Sequence, residues 1–121
     1  MDSFKVLAFL FGLGFLAIGY AGYSPTYLTE EGLFGYFEVD SMHNIFHIVC
    51  GAFALFAAFN SGLAKLYFEV IGIVFLAVAA LGFIFDGNLY IMHANMADNI
   101  FNLSVAVVAL YMGFLHKSQY E

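Results

Sequence analysis

Four apolar runs, each long enough to cross a bilayer as a helix and each closed off by polar, turn-forming residues, decide what this chain can become. They lie near residues 4–22, 41–59, 66–85 and 97–115. Ser24-Pro25 and the acidic stretch 29–32 follow the first run, Asn60-Ser61-Gly62 the second, and Asp86-Gly87-Asn88 the third. Only 10% of the residues are charged and 64% are hydrophobic, with a mean hydropathy of +0.92, against about 25% charged in ordinary soluble domains. A chain of 121 residues cannot hide that much apolar area in one core, because a domain of this size leaves much of its surface outside. Lipid is the implied solvent. The expected fold is an all-α membrane protein, a single four-helix transmembrane domain over residues 1–121.

Lysine placement orients the spans. Lys5 precedes the first run, Lys65 lies between the second and third, and Lys117 follows the fourth, so all three fall on one side of the bilayer. The positive-inside rule makes that side cytoplasmic, with both termini inside. Glu30, Glu31, Glu38, Asp40 and Asp86 then fall outside. Tyr20, Tyr23, Tyr27, Tyr36 and Tyr90 gather at outer ends, and Tyr67 and Tyr120 at inner ends, as amphipathic rings do at headgroup depth. A first run with Lys5 ahead of apolar residues 6–18 also resembles a secretory signal; it reads as a retained first helix. A net charge of −6 with no basic patch argues against nucleic acid as a partner. The single Cys50 can form no disulfide within the chain.

The runs also match one another in pairs. Asn44-Ile45-Phe46 and Asn99-Ile100-Phe101, and Ala54-Leu55 and Ala109-Leu110, stand at a constant offset of 55 residues. Ala17-Ile18-Gly19 matches Ala80-Leu81-Gly82 at an offset of 63. Two repeated helical hairpins are expected, related by an axis along the membrane normal, with a first outer connection about 8 residues the longer.

Polar residues inside the runs are few and sit at matching places. At about 100° per residue, His43 and His47 share one face of the second helix with Cys50, and Asp98 and Asn102 share one face of the fourth, with Asn95 a turn ahead. An ionisable group facing acyl chains is expensive, so both faces turn inward. Two chemistries fit. One is an interhelical hydrogen-bond network of Asn44, His47, Asn95, Asp98 and Asn99, with Asn95 and Asp98 also forming a helix start. The other is a metal site with His43 and His47 as imidazole ligands, Asp98 as carboxylate and Asn102, Cys50, His93 or water completing the shell, a donor set that suits zinc or iron. Haem would need axial histidines from facing helices, and Asn102 stands where a partner of His47 would have to be. No file of ionisable groups continues below Asn102 to carry ions. Ser41 reads as the cap of the second helix, Ser104 as a small packing residue, and Gly12, Gly14, Gly19, Gly51, Gly72 and Gly82 as close-packing positions rather than a phosphate loop.

Phe11-Gly12, Gly22-Tyr23-Ser24-Pro25, the stretch 35–40, His43-Asn44 with His47 and Gly51, and Asn95, Ala97 and Asp98 resemble the motifs of the domain of unknown function 4383 family of bacterial membrane proteins. The resemblance covers nearly the whole chain. It implies a four-helix architecture and a bacterial inner membrane, and it supplies no reaction. Members of that family often carry histidine where this chain has Asn102, a departure that breaks the symmetry of a four-ligand metal site. Two functional expectations follow. The first is a non-enzymatic integral membrane protein, either a homo-oligomer or an accessory subunit of a larger membrane complex. The second is a metal-binding or redox membrane protein built on His43, His47 and Asp98.

Overall fold

Each helix begins on a side chain that takes up amide hydrogens the helix itself leaves unpaired. In the computed structural model, which describes residues 2–29, 32–33, 35, 40–86 and 94–116, helix α1 (Ser3–Ala21) starts on Asp2, whose carboxylate accepts from the Phe4 N–H at 2.9 Å. Helix α2 (Ser41–Ala57) starts on Asp40, which accepts from the His43 N–H at 2.8 Å. Ser41, the expected cap, is instead the first helical residue, because the carboxylate one position earlier reaches the amide. Helix α3 (Ser61–Ile84) starts on Asn60, which accepts from the Leu63 N–H at 3.0 Å. That cap starts the helix well before residue 66, where the apolar run begins, so Lys65 lies in its second turn. Helix α4 (Met96–Leu110) starts on Asn95 and continues into a π-helical turn, Tyr111–Leu115.

Three helical segments, Ser3–Ala21, Ser61–Ile84 and Met96–Leu115, are long and apolar enough to cross a membrane; α2, with 17 residues, is shorter. Between α1 and α2 the chain makes a two-residue antiparallel ribbon, β1 (Leu28–Thr29) against β2 (Gly32–Leu33), in which Leu28 pairs with Leu33. Gly32 turns there at φ 112°, a conformation open chiefly to glycine.

Packing is pairwise: α1 lies along α2, and α3 along α4, with slighter contact of α3 with α1 and α2. Small residues bring the backbones together, as they do where helices meet in lipid. In the first pair Gly12 meets Leu55, Gly51 meets Leu16, Gly19 meets Ile48 and Gly22 meets the Asn44 side chain. In the second Gly72 meets Leu110, Gly82 meets the Asn99 side chain and Gly113 meets Glu69. Partners rise in number on one helix as they fall on the other, so each pair is antiparallel.

The core between the pairs is aromatic and small by turns: Phe4, Ala8 and Phe15 of α1, Ala54 and Ala57 of α2, Phe68 and Phe75 of α3, Ala106 and Ala109 of α4. Outward residues are just as apolar, with Phe9, Leu13, Phe53, Phe56, Ile73 and Val107 all exposed. A surface like that suits lipid, not water. At the end of the bundle where α1 starts, His116 Nε2 lies 2.8 Å from Ser3 Oγ and its ring meets Phe4 edge-on, tying the start of α1 to the end of the last helix.

Candidate functional site

Turning the polar side chains of α2 and α4 inward is what the physics of lipid requires, and it happens at the end of the bundle where both helices begin. His43, Asn44 and His47 of α2 and Asp98, Asn99 and Asn102 of α4 are all at most 5% exposed. His43 and Asp98 lie two positions into their helices, His47 and Asn102 six positions in, at about 3 Å and 9 Å along the axis.

Asp98 does two things at once. With Asn95 it closes a capping box: the Asp98 N–H donates to Asn95 Oδ1 at 2.9 Å, and the Asn95 N–H donates to Asp98 Oδ2 at 3.0 Å. Its other oxygen, Oδ1, faces His43 Nε2 from α2 at 4.0 Å. One carboxylate therefore starts α4 and spans the gap between the two hairpins. Of the expected network residues, Asn95 and Asp98 are hydrogen-bonded to each other here. Asn44 and Asn99 occupy a separate role, each lying against a glycine, Gly22 and Gly82, of the helix it pairs with.

His47 sits one turn deeper, its ring centroid 4.7 Å from that of His43. Phenylalanines surround it. Phe15 stacks on it at 5.8 Å, Phe101 meets it edge-on at 6.0 Å, and Phe46 lies at 6.0 Å. Behind them Phe75 contacts both Phe15 and Phe46, at 5.4 and 5.2 Å. In this polar layer His43 Nδ1, His47 Nε2, Asn99 Oδ1 and Asn102 Oδ1 find no hydrogen-bond partner among the described residues. Each such buried group costs about 1–3 kcal/mol when unmatched.

Among the described residues no three His, Cys, Asp or Glu side chains are placed to hold a metal ion. Cys50 is buried, and its carbonyl accepts from the Tyr67 hydroxyl at 2.9 Å, joining α2 to α3. His93, with Glu30, Glu31, Tyr36, Glu38, Tyr90, Lys117 and Tyr120, lies outside the described residues.

Sequence reasoning missed the phenylalanine shell and Glu69. Phe15 follows Phe4, Ala8 and Gly12 on the buried stripe of α1, but an equally apolar outer face hides that stripe. Glu69 is an acid two turns into α3, half-buried against the backbone of Gly113 in the π-helical turn. Its charge inside an apolar run was the available signal.

Compared with known proteins, residues 5–115 match the model of a family described as Domain of unknown function (DUF4383). No curated protein and no solved structure matches the chain.

Proposed function

We propose a function from the premise that this chain belongs to the DUF4383 family: it is a non-enzymatic integral membrane protein that works as a homo-oligomer or as an accessory subunit of a larger membrane complex. The observation that carries this reading is the use made of the polar residues. Asp98 spends one oxygen on the start of α4 and turns the other to His43 across the hairpins. Asn44 and Asn99 fill the approach of each helix pair. Such groups hold a scaffold together, and the scaffold presents lipid-facing helices to its surroundings.

On this reading α2 is the fourth span. Its 17 residues extend about 25 Å, close to the hydrocarbon thickness, and it lies antiparallel along α1. The hairpins are two copies of one unit. Phe4, Ala8, Gly12, Phe15, Gly19 and Gly22 correspond to Ala64, Phe68, Gly72, Phe75, Ala79 and Gly82, all buried or at a close approach. That correspondence supports an offset of 60 residues between α1 and α3, against the 63 suggested by local identity, and a first outer connection 5 residues the longer. Gly12–Leu55 and Gly72–Leu110 are then the same contact made twice.

Lys5 and Lys65 near the starts of α1 and α3, with Lys117, support an orientation with both termini cytoplasmic, and the membrane we propose is a bacterial inner membrane. A green fluorescent protein fused after Glu121 is expected to fluoresce, and alkaline phosphatase fused there to be inactive. The reverse pattern refutes the orientation.

Light scattering of protein extracted in mild detergent tests the main reading: a defined oligomer, or a stoichiometric second subunit, is expected. A lone monomer with no companion overturns it. The alternative, a metal-binding or redox protein with zinc or iron at His43, His47, Asp98 and Asn102, has in its favour the two unmatched imidazole nitrogens and the Asn102 oxygen. Elemental analysis of the same preparation decides: one metal per chain, lost in His47→Ala, replaces the first reading with the second.

A further inference from the structure

Between α1 and α4 runs a groove of about 400 Å³, its open mouth included, walled by apolar side chains that include Leu10, Phe15, Phe101 and Val105. Gly14 is an exposed position on its α1 wall, where an added Cβ would meet nothing within 4 Å. The groove alone would be an ordinary slot for an acyl chain. What distinguishes it is the identity of two wall residues. Phe15 and Phe101 are also the rings that cover His47, one stacked at 22° and the other edge-on at 85°. Phe15 stands about 9 Å from the last residue of α1, and His47, Phe101 and Asn102 about 8–9 Å from the first residues of α2 and α4, all at the same end of the bundle. The unmatched His47 Nε2 and Asn102 Oδ1, on side chains 5% and 1% exposed, therefore lie at the depth of the groove, behind its own wall.

We propose that the groove and His47 form one binding site for a neutral molecule dissolved in the bilayer, with an apolar, ring-sized body and a single hydroxyl head of the phenol class. The body lies over Gly14 between Phe15 and Val105, and the hydroxyl donates to His47 Nε2. Three features of the site select that chemistry. The Asn102 amide oxygen can only accept, and His47 Nε2 accepts in the neutral tautomer whose proton sits on Nδ1, so a head that donates matches both. A charged head would be stripped of water among phenylalanines at a cost of several kcal/mol. An apolar groove open to lipid admits a ligand from the bilayer rather than from water. Phe101 stands between the groove and His47, and its rotation on binding would open the wall between them; interface rotamer changes are common.

The test uses full-length protein labelled with ¹⁵N-histidine in phosphatidylcholine nanodiscs, with 4-hexylphenol as probe and hexylbenzene as the matched compound lacking the hydroxyl. The His47 resonances are assigned from the spectrum of His47→Phe. The phenol is expected to move the His47 Nε2 signal saturably, and hexylbenzene to bind about tenfold more weakly. Gly14→Leu, which puts a side chain into the open space at the α1 wall of the groove, is expected to melt with the parent and lose the response. No saturable shift with the phenol overturns the proposal. So does an equal effect of hexylbenzene, which would make the groove a plain acyl-chain slot, and so does a Gly14→Leu protein that responds like the parent. The comparison of the two probes on the unaltered chain stands whether or not Gly14→Leu folds, and it is independent of the oligomeric state.

Discussion

Replacing Asp98 by leucine is expected to lower the thermal midpoint in detergent by on the order of 10 °C. Three losses add up. The capping box loses one half, since Oδ2 no longer accepts from the Asn95 N–H while Asn95 still caps the residue 98 N–H, and one lost hydrogen bond costs about 1 kcal/mol. The contact of Oδ1 with His43 across the hairpins goes too; polar contacts between membrane helices average about 0.6 kcal/mol. His43, 4% exposed, is then left without the carboxylate that faces its Nε2, and an unmatched buried polar group costs about 1–3 kcal/mol. Leucine recovers part of this through apolar contact, which leaves a net loss of about 3 kcal/mol and, for a chain of this length, roughly 3–5 °C for each. Asp98→Asn keeps an acceptor of the same length for the cap and is expected to lose less than half as much. Should Asp98→Leu melt within about 2 °C of the parent, the polar layer would not be what joins the hairpins, and the reading of His43 and Asp98 as structural partners would fall.

Much of this layer was legible beforehand because polar residues in an apolar chain stand out. His43, His47, Asp98 and Asn102 could be placed on two inward faces from helical spacing alone, and Asn95 with Asp98 could be read as a helix start. The apolar part of the site was not legible. In a soluble protein a buried stripe is picked out by the polar face opposite; here Phe15 points inward and Leu13 outward on the same helix, and nothing in residue type tells them apart. For the same reason the hairpin offset drawn from Ala17-Ile18-Gly19 and Ala80-Leu81-Gly82 differs from the one that the glycine contacts support. Short identities are cheap in sequence rich in alanine, leucine and glycine. Close approach is more demanding, because Gly12 must sit where Leu55 comes down on it and Gly72 where Leu110 does. The cap of α2 went to Asp40 and not Ser41 for a subtler reason: either side chain can serve, and only the path of the preceding backbone chooses.

Gly51→Leu is expected to prevent α1 and α2 from closing, giving protein that cannot be recovered as a single folded species in detergent, while Gly51→Ala loses about 1–3 kcal/mol. A Cβ at Gly51 would fall 2.8 Å from Leu16 Cγ, 2.9 Å from the Leu16 nitrogen and 3.0 Å from the Gly12 oxygen. Two of those three atoms are backbone, so no rotamer change relieves the clash; the helices must separate. Gly14 is the control on the same pair of helices, since its position faces open space. In the proposed repeat the counterpart of Gly51 is Ala106 of α4, fully buried, so that the second pair would close around a methyl group that the first pair has no room for. If Gly51→Leu folded and melted with the parent, α1 and α2 would have to stand farther apart than the Leu16–Gly51 approach implies. The match in depth between Phe15 and His47 depends on that same register, so the aromatic cover of His47 would lose its basis along with it.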